Sequence, residues 1–480
     1  MDAYQPIKLE ELKNDVFNTL KKWNKQAGDT TDLLDYLLLV RQQRWEQDVV
    51  HRPTRWRLVT NQVLLDAINL LEHEDQEQAQ VLKYRFVQQL PVVRVGYKMN
   101  VAEATVMRMQ RSGVDNLAQI LLTHEEEARI QHSQKILAKL PPSTYQKLFG
   151  VEQISDTIYK QLLPKNENWV VAVVGLGGIG KTALADYVTR KVIDLFTYDD
   201  VVWVRVDNRT LDQAVDLPRL TYEYIIAQLA TRFFGLNSEP RFEQREIQVR
   251  HRLNANPHLI VVDNLENEAD TAFLIDQLHE LTDPSRFLLT TRSRPESETG
   301  YVAFSLDELE MADALDLMRH YAAIIGIETV MNAPNDALED VYNIVGGNPQ
   351  ALKIVVSLLE LVPFVQLLDN LKAAHEGGKI DALYKRIYQQ AWKTLSNEAR
   401  QLLKVMPLVA ESGGDAAYLQ MLSDLKDEVY WPAVQQLRRR SLLEVRGGLE
   451  EKQYGVHRLT ETFVRHDIAN WWIEDEGESG

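Results

Sequence analysis

Four glycines fall within six positions directly after an apolar run, in the segment VAVVGLGGIGKTAL (172–185). Their spacing is Gly175-x-x-x-x-Gly180-Lys181-Thr182, and an apolar-striped helical run follows. Glycine permits positive φ and leaves no side chain between main-chain amides and a phosphate, and a helix N-terminus favours an anion. We therefore predict a phosphate-binding loop (P-loop) in which Lys181 reaches the β- and γ-phosphates and the Thr182 hydroxyl binds Mg²⁺. The predicted nucleotide contacts in this loop are Gly175, Gly177, Gly178, Ile179, Gly180, Lys181, Thr182 and Ala183.

Two further strand-like segments carry side chains that such a loop would use. PHLIVVDN (257–264) brings Asp263 to the carboxyl end of a strand, where ligands collect in open α/β sheets. We predict that Asp263 holds the metal ion together with Thr182. RFLLTTRSR (286–294) carries Arg292, which either reaches the γ-phosphate and distinguishes ATP from ADP or is an ordinary surface arginine. The catalytic candidates are Lys181, Asp263 and Arg292.

The residue after Asp263 is an amide, Asn264, which cannot accept a proton at neutral pH. General-base assistance contributes roughly 10²–10⁴-fold to a rate. We therefore predict slow ATP hydrolysis, unless another group such as Glu266 positions water. A slow P-loop ATPase is better suited to act as a switch than as a metabolic catalyst.

Composition limits the remaining classes of function. A chain of 480 residues with 45% hydrophobic composition predicts several domains, and its net charge of −17 argues against non-specific coating of nucleic acid by the whole molecule. The absence of cysteine excludes disulfides, thiol nucleophiles and zinc fingers. We find neither a signal-peptide core nor a run of about 20 apolar residues, so we expect a cytoplasmic protein with no membrane partner.

Residues 75–145 predict a helix-turn-helix. QAQVLKYRFVQQL, PVVRVGYKM and NVAEATVMRMQRSGVDNLAQILL give a helix, a short helix, a turn at Asn100 and a longer helix, and residues 80–112 hold six basic side chains against one acidic. The plan resembles sigma-factor region 4. That resemblance implies DNA contacts from Arg94, Lys98, Thr105, Arg108 and Arg111. The alternative is a helical adaptor that does not bind DNA.

Four segments in order, GLGGIGKT, LIVVDN, RFLLTTRSR and GGNPQAL, resemble an NB-ARC module. This is the nucleotide-binding core of the STAND signal-transduction ATPases, which include plant resistance proteins and apoptotic adaptors. The resemblance covers residues 146–468 and implies that ATP or ADP binds with Mg²⁺, with Pro349 near the adenine. It also implies that His457 contacts the β-phosphate of ADP in a closed state. The family has Met-His-Asp where this chain has Val456-His457-Arg458, so no contact of an aspartate is implied.

We therefore expect a multidomain chain with a parallel α/β nucleotide-binding core. The expected domains are a helical N-terminal region (1–74), the helix-turn-helix (75–145), a P-loop α/β domain (146–305), a small helical domain (306–375), and a winged-helix domain with an acidic tail (376–480).

Two interpretations of function follow. The first is an ATP/ADP-dependent switch that regulates DNA binding or transcription through residues 75–137. The alternative is a nucleotide-switched oligomerising scaffold that recruits a protein partner in defence or death-like signalling. No repeat with a period of 20–50 residues is present. Either the sensor is a separate sensor or effector protein, or the chain is a fragment of a longer one, or the N-terminal helices sense the signal. We also expect self-association in the ATP state.

Overall fold

The computed structural model describes most of the chain, and its ranges are 7–24, 32–47, 53–163, 168–206, 217–235, 239, 241–265, 268–292, 294, 301–375, 380–409, 413–447, 452–456 and 458–468.

A bundle of helices precedes the sheet. Its described helices are α1 (Leu9–Lys21), α2 (Leu38–Glu46), α3 (Pro53–Glu74), α4 (Gln76–Leu82), α5 (Val92–Met99) and α6 (Glu103–Leu137), with a π-helical turn at Lys83–Val87. Leu12, Leu64 and Leu117 are fully buried members of the core that α1, α3 and α6 share. The bundle is therefore organised around α6, which is 35 residues long.

The long helix α6 belongs to two cores at once. Its Leu117 lies in the core of the helical bundle, whereas its Ile136 packs with Ile158 and Val171 beneath the sheet. The Nε2 of His132 also donates a hydrogen bond to the main-chain oxygen of Tyr198 (2.9 Å). Helix α6 thus ties the N-terminal bundle to the α/β part of the molecule.

A tight turn joins α5 to α6. Asn100 ends α5 in the left-handed region (φ 59°), and the Val101 amide donates to the Gly96 oxygen (3.0 Å). A Cβ on Gly96 would lie 2.9 Å from the Val101 oxygen, so the turn requires glycine there. Val95 and Val106 are buried in a small core of their own, and whether these helices act as a DNA-binding helix-turn-helix stays a prediction.

A parallel sheet forms the centre of the molecule and confirms the predicted α/β core. Its strand order is β2-β3-β4-β1-β5, and every pairing is parallel. The strands are β1 (Val170–Val174), β2 (Asp200–Arg205), β3 (His258–Leu265), β4 (Arg286–Thr291) and β5 (Tyr301–Ser305). The described helices around it are α7 (Glu152–Gln161), α8 (Lys181–Ile193), α9 (Leu217–Phe234), α10 (Phe242–Ala255) and α11 (Glu268–His279).

Alternate residues of these strands face opposite layers, as the two-residue period of a strand requires. Val173 and Val261 pack on the α8 side. Ala172 and Val262 pack on the other side, against α9, α10 and α11. Both faces are covered, which explains why the strands read as continuous apolar runs.

Helices and one hairpin follow the sheet. The described helices are α12 (Met311–Ile325), α13 (Glu328–Met331), α14 (Asn335–Val345), α15 (Pro349–Leu358), α16 (Phe364–His375), α17 (Ile380–Lys393), α18 (Asn397–Val405), α19 (Ala416–Ser423), α20 (Asp427–Arg439) and α21 (Arg458–Phe463). Strands β6 (Glu444–Gly447) and β7 (Lys452–Gly455) pair antiparallel.

One apolar core runs through this whole C-terminal part, from Leu352 through Ile387 to Tyr454. The boundary at residue 375 and the winged-helix assignment therefore stay predictions. No described helix is both long enough and apolar enough to cross a membrane.

Candidate functional site

The glycine loop joins the end of β1 to the start of α8. Gly178 (φ 76°) and Gly180 (φ 108°) have left-handed backbone conformations, and Gly180 is the N-cap of α8. A Cβ on Gly175 would lie 2.7 Å from the main-chain oxygen of Leu306. The loop conformation therefore depends on glycine at these positions.

Lys181 is held against this loop. Its Nζ donates to the main-chain oxygens of Gly175 (2.8 Å) and Leu176 (2.9 Å). The positive charge thus lies beside the loop and the N-terminus of α8, both of which favour anions.

Three side chains meet where β3, β4 and α8 converge. The hydroxyls of Thr182 and Thr290 donate to Oδ1 of Asp263, at 2.8 Å and 2.6 Å. Asp263 is 2% exposed. The structure thus brings together Thr182 and Asp263, the two residues that the sequence predicts as metal ligands. Thr290 was not predicted, although its position in the TTR segment of β4 marked it as a neighbour of the site.

Asn264 adopts a positive φ of 78° directly after Asp263. Its main-chain N–H donates to the Thr290 hydroxyl (2.9 Å), and its side-chain Nδ2 donates to the main-chain oxygen of Val206 (2.8 Å). The pairing of β3 with β4 also shifts register between Val262 and Leu265. The amide of Asn264 is therefore fixed toward the segment that follows β2.

Helix α15 is tied to the loop through its N-cap. Oδ1 of Asn348 accepts from the Gln350 and Ala351 amides (3.1 and 3.2 Å), and its Nδ2 donates to the Gly177 oxygen (3.0 Å). Pro349 follows as the first residue of the helix. An asparagine directly before a proline is typical of a helix start, so the helix cap was predictable from the sequence. The contact of the same side chain with the loop was not.

A close main-chain approach supports this arrangement. The Gly347 amide donates to the carboxylate of Glu308 (2.9 Å), and the Leu309 amide donates to the Gly347 oxygen (3.0 Å). A Cβ on Gly347 would lie 2.2 Å from the Leu309 oxygen. Only glycine fits at this position.

A cavity of about 530 Å³ lies between the loop, the ends of the strands and α15, and its size is typical of a small-molecule site. Its lining includes Gly177, Gly178, Ile179, Gly180, Lys181, Thr182, Ala183, Arg292 and Pro349. Gly175 and Asp263 do not line it, but Asp263 is bonded to Thr182 and Thr290, which do.

Several residues of this lining were not predicted from the sequence, namely Tyr145, Phe149, Arg205, Gln350, Lys353 and Glu444. Burial raises the pKa of Tyr145 to about 12, with Asp186 acting in the same direction. The Tyr145 hydroxyl therefore stays protonated and donates to the carboxylate of Asp186 (3.0 Å). Burial also lowers the pKa of Lys353, and Glu444 opposes that shift.

His457 and Glu266 lie outside the described residues, so their predicted roles stay predictions. Val456, which precedes His457, lines the cavity. The described part of the chain holds no group of three or more acidic or histidine side chains that could bind a metal ion by themselves.

The predicted DNA contacts lie on α5 and α6 and do not line the cavity. Arg94, Lys98, Arg108 and Arg111 are exposed, and Thr105 is half-buried. Lys98 also lies over the Tyr84 ring (4.1 Å).

Comparison with known proteins relates part of the chain to one domain family. Residues 151–324 match the NB-ARC domain. The disease resistance-like protein CSA1 of Arabidopsis thaliana is 23% identical over 345 residues, which is 66% of this chain and 27% of that protein. The disease resistance RPP13-like protein 1 of the same species is 28% identical over 155 residues, which is 31% of this chain and 14% of that protein. The chain therefore spans about a quarter or less of the length of these relatives.

Among solved structures, a STAND protein with a tetratricopeptide repeat sensor from Pyrococcus horikoshii is 18% identical. The match covers 68% of this chain and 43% of that protein's chain, with a TM-score of 0.43. The ORC1 protein of Aeropyrum pernix, solved in complex with DNA, is 13% identical, covers 69% of this chain and 97% of its own, and has a TM-score of 0.31.

Proposed function

We propose that this chain, whose residues 151–324 form an NB-ARC domain, is an ATP/ADP-dependent switch that acts as a scaffold for a protein partner. The observation that carries the proposal is the contact of Asn348 with Gly177. One side chain caps α15 and bonds to the phosphate-binding loop, so the contents of the loop and the position of α15 are coupled.

The residues around the loop fit a nucleotide with Mg²⁺. The left-handed glycines of the loop place no side chain over its main chain, and Lys181 adds a positive charge. Thr182 and Asp263 would hold Mg²⁺ together with phosphate oxygens. The described chain has no metal cluster made of acidic and histidine side chains alone, so these two residues need the phosphates to complete a metal site.

A bound triphosphate would supply the negative charge that the loop amides and Lys181 favour. The loop amides and Lys181 would bind and orient the phosphates, while Thr290 fixes the carboxylate of Asp263. Asn264 would not act as a base, because its amide carries no proton-accepting group and donates to the Val206 oxygen.

Helix α15 continues the coupling toward the C-terminal part. Nε2 of Gln350 donates to the main-chain oxygen of Ser441 (3.1 Å), and the Tyr321 hydroxyl is hydrogen-bonded to the Ser441 hydroxyl. The Arg440 guanidinium donates to the Ser357 oxygen (2.7 Å) and to Glu360 (2.8 Å). A change at the loop therefore has a continuous path through α15 to the corner between α20 and β6. Two bound states that differ in their contacts along this path would shift the population of arrangements.

The relatives support the scaffold interpretation over transcriptional control, since both carry disease-resistance names. We infer that the exposed N-terminal bundle recruits the partner and that the ATP state self-associates. DNA binding through residues 75–137 is a second candidate. One observation favours it, the exposure of Arg94, Lys98, Arg108 and Arg111 on two consecutive helices.

Light scattering tests the switch directly. With Mg²⁺ present, we expect a larger mass or radius with a non-hydrolysable ATP analogue than with ADP, and Lys181→Ala should remove the difference. Lys160→Ala is the matched control, because Lys160 is an exposed lysine of α7 that does not line the cavity. The same mass and radius in both nucleotides for the wild-type protein would contradict the proposal.

A further inference from the structure

Arg205 ends β2, and its register partner on β3 is Asp263. Val204 and Val206, on either side of it, pack on the face covered by α9, α10 and α11, whereas Val201 packs on the α8 face. The two-residue period of the strand therefore directs Arg205 to the α8 face. Asp263 points to that same face, because it bonds to Thr182 in the first turn of α8.

Arg205 is half-buried and lines the cavity next to the loop. Within the described part of the chain, no group accepts a hydrogen bond from its guanidinium. Its neighbour Asp263 accepts instead from Thr182 and Thr290. A partly desolvated guanidinium whose N–H groups have no acceptor among the described residues is unfavourable, so this side chain is set up to donate to an anion.

We propose that Arg205 binds the γ-phosphate of ATP and so makes this site distinguish ATP from ADP. This inference rests on the proposed function and adds one residue to its site. One strand spacing, about 4.8 Å, separates Arg205 from the strand of Asp263. Asp263 and Thr182 would hold Mg²⁺ together with the terminal phosphates, so the γ-phosphate would lie on the side of the site where Arg205 lies.

The other arginine of the lining differs from Arg205 in its surroundings. Arg292 follows β4 and is exposed, so water competes for its charge. Arg205 is less accessible, and its planar fork of donors matches the oxygens of a phosphate group. The loop amides bind phosphates that ADP also carries, and Lys181 reaches the β-phosphate as well as the γ-phosphate, whereas Arg205 serves only the phosphate that ADP lacks.

Calorimetry with Mg²⁺, ADP and a non-hydrolysable ATP analogue tests this assignment. For Arg205→Gln we expect the affinity for the analogue to fall about 10- to 100-fold, the effect of one charge-assisted contact, while the affinity for ADP stays within about twofold. Arg205→Lys should fall between wild type and Arg205→Gln, because it keeps the charge and loses the fork.

Arg219→Gln is the matched control. Arg219 is an arginine of α9 that pairs with Glu223 (3.0 Å) and does not line the cavity, so both affinities should stay at wild-type values. An equal loss of both affinities in Arg205→Gln, or no loss of either, overturns this inference alone. A wild-type protein that takes up neither nucleotide overturns the proposed function and this inference together. Thermal melting of each variant establishes that it is folded.

Discussion

The side-chain nitrogen of Asn348 lies 3.0 Å from the main-chain oxygen of Gly177, although 171 positions separate the two residues in the chain. The same side chain caps α15. A local helix start and a long-range contact with the phosphate-binding loop therefore depend on one amide.

Replacing Asn348 separates these two roles. Asn348→Ala should lower the free energy of unfolding by about 0.5–2 kcal/mol through loss of the cap and should weaken nucleotide binding. Asn348→Asp keeps an oxygen for the cap but loses the donor to Gly177, so it should retain stability and still weaken binding. Ser396→Ala removes the cap of α18, away from the loop, and should cost stability alone. Equal nucleotide affinity in all four proteins, measured by calorimetry, would contradict the coupling.

Thr290 is expected to set the metal dependence of nucleotide binding. Thr290→Val removes the donor to Asp263 and the acceptor for the Asn264 amide. The apparent affinity for Mg²⁺, titrated in the presence of ADP, should fall, and Thr290→Ser should restore it. Thr291→Val is the control, because the Thr291 hydroxyl is hydrogen-bonded to Thr271 on the other face of the sheet (3.2 Å). If Thr290→Val titrates like wild type, Thr290 does not orient the metal-binding carboxylate.

Hydrolysis of ATP should be slow. Without a general base at Asn264, we expect turnover of about 0.1 to 0.001 s⁻¹, which is 10²–10⁴-fold below a common enzymatic rate of about 10 s⁻¹. Asn264→Asp should not recover that factor. Its carboxylate would face the Val206 oxygen, to which the native amide donates. A single-turnover phosphate-release assay measures both rates, and wild-type turnover near 10 s⁻¹ would refute the prediction.

The stability of the sheet should depend on pH through His258, the first residue of β3. Burial lowers the pKa of His258 to about 4, against its ordinary value of 6.5, and the nearby Asp199 opposes the shift. The unfolded chain then binds more protons than the folded chain between these values. The contribution of neutral His258 to the free energy of unfolding is therefore fully present above pH 6.5 and is lost as the pH falls toward 4. The loss between pH 7.5 and pH 5 is about 2 kcal/mol.

Urea denaturation at pH 7.5 and pH 5 checks this pH dependence. His258→Leu should remove about 2 kcal/mol of the difference between the two conditions, whatever its effect on stability at pH 7.5. His251→Leu replaces an exposed histidine of α10 and should keep the difference. If His258→Leu keeps it as well, the acid sensitivity arises elsewhere.

DNA binding and scaffolding predict different results for Arg108 and Arg111. If the scaffold proposal holds, selection from random DNA enriches no sequence, and the double variant Arg108→Ala with Arg111→Ala behaves as wild type. If DNA is the ligand, a site is enriched, binding weakens steeply with salt, and the double variant loses it.

The parts of the site that were predictable from sequence are local in the chain. An apolar run followed by the glycine spacing before Lys181 predicts one strand and the loop after it. A second apolar run, which ends at Asp263, predicts another strand and its carboxyl end. Strand β5 was not predicted, because Tyr301–Ser305 is a short run of five partly exposed or exposed residues.

The contacts that join distant segments were not predictable in this way. Arg205 interrupts an apolar strand and resembles an edge residue in sequence, and only the register with Asp263 brings it to the site. The Asn348 contact likewise depends on how α15 packs against the loop, which no periodicity in the sequence records.

The length of α6 gives the molecule a built-in lever arm. At about 1.5 Å per residue, Arg108 lies about 42 Å along the axis from Ile136, which is anchored beneath the sheet. A tilt of about ten degrees at the anchored end would therefore swing Arg108 through about 7 Å. A small change in the tilt of α6 near the nucleotide site would therefore produce a larger displacement around Arg108, on a surface where a partner could bind.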